Sequence, residues 1–145
     1  MIKVEIYIKK KLIRLTEQYH LTNQIKFIDH CEDMALAYKV SDIIVSASIE
    51  PEAFGRVAVE AQSMEKLIIA SNIGGSNETI IDEKTGFLFK SGDAESLSKK
   101  IIHGLTMDER SVNLIGKEGR NNIIKKFNVE KMCFSTYSEY KRLLN

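Results

Sequence analysis

Asp42-Ile43-Ile44-Val45-Ser46, Arg56-Val57-Ala58-Val59-Glu60-Ala61-Gln62-Ser63-Met64 and Leu67-Ile68-Ile69-Ala70 follow one another in the chain, and their order decides the fold. The first run is rich in β-branched residues and has no polar alternation, as a strand buried on both faces requires. The second reads as a helix. Its start is set by Pro51 and Gly55, which favour a loop before Arg56. The third is again a short apolar strand. A strand, a crossover helix and a second strand make a parallel pair.

Working downstream, Gly74-Gly75 breaks the chain before a short helix through Ile80, and Gly86-Phe87-Leu88-Phe89 reads as a further strand. Asp93 has the position of an N-cap for a helix from Ala94 to Gly104. Two more helices are expected near Asp108 to Lys126 and Val129 to Leu144. Upstream, Glu32 to Lys39 is helical and Ile25-Lys26-Phe27-Ile28 is a strand candidate. Ile8, Leu12, Leu15 and Tyr19 fall on one helical stripe. Over the first residues Ile2, Val4, Ile6 and Ile8 alternate, so the periodicity admits a strand as well as a helix. The whole reads as α/β, a Rossmann-like parallel sheet with flanking helices.

Composition narrows the function classes. A chain of 145 residues fits one domain with a real core. The formal charge of +1 gives no global field toward nucleic acid or anionic lipid. Lys9-Lys10-Lys11 and Lys125-Lys126 sit inside helical patterns, where lysine clusters read as solvated faces. Cys31 and Cys133 have no metal-ligand spacing and make no disulfide framework, which points to a reducing compartment. No apolar run approaches a membrane span and no signal peptide is visible, so a cytoplasmic location is expected, with at most peripheral attachment to the inner face of a membrane.

The chemistry concentrates around Glu52 and Glu60. On one continuous helix they would stand roughly 12 Å apart. The Pro51 and Gly55 loop instead lets Glu52 fold back toward Glu60, at the carboxyl ends of the strands where open parallel sheets bind ligands. Ionised carboxylates only accept hydrogen bonds, and each suits a pair of sugar hydroxyls. The helix start at Phe54-Gly55-Arg56 offers N–H groups and a positive dipole end for a phosphate. Two glutamates eight apart also occur by chance on many helices. What raises Glu60 above chance is its place between Val57-Ala58-Val59 and Ala61, because a carboxylate among small apolar residues needs a partner.

These residues resemble the donor-binding domain of glycosyltransferase family 4, of the GT-B fold. The matching features are Glu52 and Glu60 at Glu-x7-Glu spacing, Phe54-Gly55 between them, Ile68-Ile69-Ala70-Ser71, and Gly74-Gly75 with Glu78. Thr85-Gly86-Phe87-Leu88, Gly92-Asp93, Phe127 and the last helix continue the pattern. The resemblance covers nearly the whole chain from about Tyr7. It implies that Glu52 contacts hydroxyls of a donor sugar and Glu60 the ribose of its nucleotide. Phe54, Gly55 and Arg56 would line the turn beside the diphosphate through backbone N–H groups. Gly74, Gly75 and Glu78 would shape the neighbouring wall, with a cap or an ion pair as the other reading of Glu78. Transfer with retention, a nucleotide sugar as substrate, and neither metal nor cofactor are likewise implied; no Asp-x-Asp pair is present. His30, after the Ile25–Ile28 segment, stands either at the crevice edge or as an ordinary surface group.

Two departures from the family pattern carry expectations. Glu65 occupies a position where the family has glycine, and a positive φ there would cost it on the order of 1 kcal/mol. The family's N-terminal acceptor domain has no counterpart, so residues 1–145 read as a single partial nucleotide-sugar-binding domain. The opening donor-domain strands are missing too, which would interrupt the sheet between Ile25–Ile28 and Asp42–Ser46 unless Lys3 to Ile8 fills the gap. Three functions follow as expectations: the donor-binding part of a retaining glycosyltransferase, a non-catalytic split subunit that needs a separate acceptor-domain chain, or a decayed remnant.

Overall fold

The computed structural model describes residues 2–144, with side chains from Ile8 onward. It divides into two compact units, one up to Glu32 and one from Asp33.

In the first unit, helix α1 runs from Ile2 to Gln18. The Lys3 to Ile8 segment is therefore helix rather than strand, a correction to one expectation. Helix propagation adds a bond per residue, whereas a strand without a neighbour leaves every N–H and C=O unpaired. Ile25–Ile28 is the second correction, since no strand forms there among the described residues. Ile25 and Phe27 instead share a hollow with Leu12, Leu15, Tyr19 and Leu21 of the same unit. Their alternation serves packing against the α1 stripe and not a ladder. The ammonium of Lys9 pairs with the carboxylate of Asp29 across the same fold-back.

The second unit holds a parallel sheet in the order β1-β2-β3, with β1 at Ile43–Ser46, β2 at Leu67–Ser71 and β3 at Phe87–Phe89. Ile43 is level with Leu67, and Ile69 with Phe87. Every residue of β2 is buried. Its alternation divides the core in two: Ile68 and Ala70 pack with Tyr38, Ala58, Ala61 and Ile80 on one face. Leu67 and Ile69 pack with Phe87, Phe89 and Ile115 on the other. The first face is covered from α2 (Met34–Val40) and α3 (Arg56–Ser63), the second from α5 (Ala94–Thr106) and α6 (Glu109–Lys126). A short α4 spans Ser76–Thr79 and α7 spans Val129–Leu144.

Helix starts follow the sequence signals. Asp93 accepts the Ser96 N–H at 3.0 Å, as an N-cap does, and this bond holds its carboxyl below the usual carboxylate range. Asp33 and Asp108 cap α2 and α6 in the same way. Glu65 has φ +56°, the left-handed conformation that a family glycine at this position implies. It follows the end of α3, where the Lys66 N–H reaches back to the Ala61 carbonyl at 3.0 Å. No described helix is long and apolar enough to cross a membrane.

Candidate functional site

Two loops leave the carboxyl ends of β1 and β2 side by side, and the main chain joins them. The Gly75 N–H donates to the Glu52 carbonyl at 2.8 Å. A Cβ on Gly75 would stand 2.4 Å from the Phe54 carbonyl carbon, and one on Gly74 would stand 2.6 Å from the Glu52 oxygen. Neither position has room for a side chain. Glycine is required here by close approach of two backbones. The Glu52 carboxylate accepts from the Ser48 hydroxyl, and Ser91 after β3 donates to the Ser48 carbonyl at 3.2 Å. The β1 loop is thus tied to the segments that follow β2 and β3.

Gly55 turns the chain into α3 with φ +72°, and its carbonyl accepts from the Ala58 and Val59 N–H groups at 3.0 and 3.3 Å. The first turn of α3 begins beside Gly75 and Ser76. Its leading N–H groups have no intrahelical partner by construction, and the dipole makes this end electropositive. The Phe54 ring meets Phe127 edge-on at 5.6 Å and lines a hollow with Phe127, Val129 and Met132 at the α6–α7 junction. It fastens the loop to that junction.

Glu60 sits in the second turn of α3 with its side chain 35% exposed. One carboxylate oxygen accepts the Tyr38 hydroxyl at 2.8 Å, and the other faces the Arg56 guanidinium at 3.2 Å. The Tyr38 hydroxyl is pushed up to about 12, first by burial and then by its bond to Glu60 and that carboxylate's charge. It remains a donor throughout the physiological range. Glu78 is exposed on α4. His30 is exposed and belongs to the first unit. No cluster of metal-ligating side chains occurs among the described residues.

Tyr38 is the residue beside Glu60 that the pattern of the sequence did not disclose. A signal for Tyr38 existed: a tyrosine on an apolar helical face needs a hydroxyl partner, and Glu60 among small apolar residues needs one as well.

A family profile described as glycosyl transferases group 1 matches residues 8–122. The chain belongs to this family. The group 1 chain is 30% identical to the capsular polysaccharide biosynthesis glycosyltransferase CapM of Staphylococcus aureus, over 83% of this chain and 31% of that protein. Among solved structures it resembles a glycosyltransferase from Rickettsia africae, at 37% identity and TM-score 0.89, over 94% of this chain and 36% of the other. It also resembles Anabaena HepE, solved with UDP and glucose, at 25% identity and TM-score 0.86, over 97% of this chain and 38% of HepE. The chain therefore spans about a third of these relatives. Its parallel sheet with flanking helices is part of a GT-B glycosyltransferase architecture.

Proposed function

We propose that this chain binds the nucleotide-sugar donor of a retaining family 4 glycosyltransferase. The carrying observation is the joint between Glu52 and Gly75, which sets the carboxylate loop leading into α3 against the start of α4. Glu52 accepts from sugar hydroxyls, Glu60 from the ribose, and the first N–H groups of α3 with Gly55 and Arg56 receive the diphosphate. HepE was solved with UDP and glucose, which supports a nucleotide sugar as the ligand. The nucleotide sugar is a substrate, and no metal or resident cofactor enters this reading. An acceptor in cell-envelope polysaccharide fits the name of the Staphylococcus relative.

The exposed apolar residues of α7 favour a second reading, a subunit that works with a separate acceptor-domain chain. Phe134, Tyr137, Tyr140 and Leu143 are each more than half exposed, and α7 buries no residue. Co-purification from the native cell tests this, and a lone monomer active by itself would count against it.

Calorimetry with uridine, guanosine and adenosine diphosphates and their sugar conjugates tests the donor reading. Binding of one series is expected, weakened about tenfold or more by Glu60→Ala, because a hydrogen bond to a charged group is at stake. A folded protein that binds none of them, or a Glu60→Ala variant that binds as well as the parent, overturns it and leaves the decayed remnant.

A further inference from the structure

Tyr38 is the buried residue of α2, and its ring lies in the core with Ala58, Ala61, Ile68, Ala70 and Ile80. A core tyrosine commonly places its hydroxyl on whatever acceptor is nearest, often a main-chain carbonyl. This one donates to a partly exposed carboxylate instead, the Glu60 oxygen at 2.8 Å. Glu60 is held from two sides. Tyr38 grips it from the core, while Arg56, with 84% of its side chain exposed, approaches from solvent at 3.2 Å. The two contacts differ in kind. The Arg56 side chain is free to leave, since a solvent-exposed ion pair is weak and screened. The Tyr38 ring is locked by packing, and its hydroxyl has little freedom to follow another acceptor.

A glutamate has rotamer freedom that a ligand must suppress before it gains two hydrogen bonds, and suppressing it beforehand raises affinity. A carboxylate offers about four acceptor directions. One taken by Tyr38 leaves the rest for a vicinal diol. We propose that Tyr38 is a positioning residue for ribose recognition, fixing the Glu60 carboxylate so that it meets the 2′- and 3′-hydroxyls already aligned. The proposal rests on the reading of Glu60 as the ribose acceptor. It adds a residue that itself never touches the nucleotide.

The test compares nucleoside diphosphates (UDP, GDP and ADP) with their 2′,3′-dideoxy forms by calorimetry on the 145-residue chain. Tyr38→Phe keeps the ring and its core contacts, and circular dichroism melting checks that the fold persists. The parent is expected to prefer the ribose form, and Glu60→Ala to erase that preference. Tyr38→Phe is expected to weaken the ribose form by about five- to tenfold, the worth of one net hydrogen bond, and to leave the dideoxy form unchanged. Adding Tyr38→Phe to Glu60→Ala is expected to cost nothing more. Equal loss for both forms, or no loss for either, with the Glu60→Ala result intact, overturns the role of Tyr38 alone. No preference in the parent, or no binding by any of the three pairs, overturns the Glu60 reading and the proposal with it.

Discussion

The Gly75 N–H and the Glu52 carbonyl, 2.8 Å apart, join two loops that leave neighbouring parallel strands. A methyl group on Gly75 would press on the Phe54 main chain, which has no rotamer with which to yield. Gly75→Ala is therefore expected to lower stability by about 1–3 kcal/mol, as overpacking does, and to weaken nucleotide binding by displacing the Glu52 loop. Urea titration and calorimetry measure the two effects. An unchanged urea midpoint would show that the loops separate without cost.

Glu65 holds a left-handed conformation that costs a residue with a Cβ about 1 kcal/mol. Its compensation is an ion pair with Arg120 at 3.7 Å between side chains about half exposed. Such pairs contribute a few tenths of a kcal/mol. Glu65→Gly is accordingly expected to stabilise the protein by roughly 0.5–1 kcal/mol. Glu65→Ala, which keeps the strained φ and loses the pair, should be neutral or slightly destabilising. Urea midpoints of the two variants decide it, and a glycine variant below the alanine variant refutes the strain argument.

Tyr38 gives the protein a weakness at high pH. Its hydroxyl titrates near 10.0 in the unfolded chain and near 12 in the fold, so between these values the fold binds more proton than the unfolded state does. Stability from this group is complete below pH 10 and lost as pH rises toward 12, at about 1.4 kcal/mol per unit at most. Tyr38→Phe should show a shallower decline over the same window. Denaturation midpoints from pH 9 to 11.5 compare them, and parallel curves would refute the assignment.

Helix α7 has 16 residues and buries none of them. An isolated helix of that length is marginal in water. Its amides are expected to exchange with solvent well before those of β2 and α3, by at least a hundredfold in rate. Native-state hydrogen exchange followed by mass spectrometry measures this. Protection of α7 equal to that of β2 would mean that another surface covers it.

Much of the fold was legible because local signals agreed. The runs Ile43–Ser46 and Leu67–Ser71, the Asp93 cap and the Gly74-Gly75 break each carry their own physical reason, and each lies where that reason places it. The strain at Glu65 was legible from a departure in pattern. Ile25–Ile28 misled, because β propensity reports a surface that packs well, and α1 supplies such a surface as readily as a strand does. The Tyr38–Glu60 bond spans 22 residues and two helices, so each partner's need is visible locally but their pairing is not. The resemblance places the Phe54 backbone at the diphosphate turn, and only the fold reveals that its ring meets Phe127.

The Gly74-Gly75 contact also bears on how such a site changes over time. Because the two loops meet backbone to backbone, their spacing here does not depend on those side chains of the first loop that make no fastening contact. Substitutions at positions such as 50, 53 and 56 can alter what the crevice prefers without moving its walls. A pair of residues with no side chains thereby leaves neighbouring side chains free to vary without moving the frame that presents them.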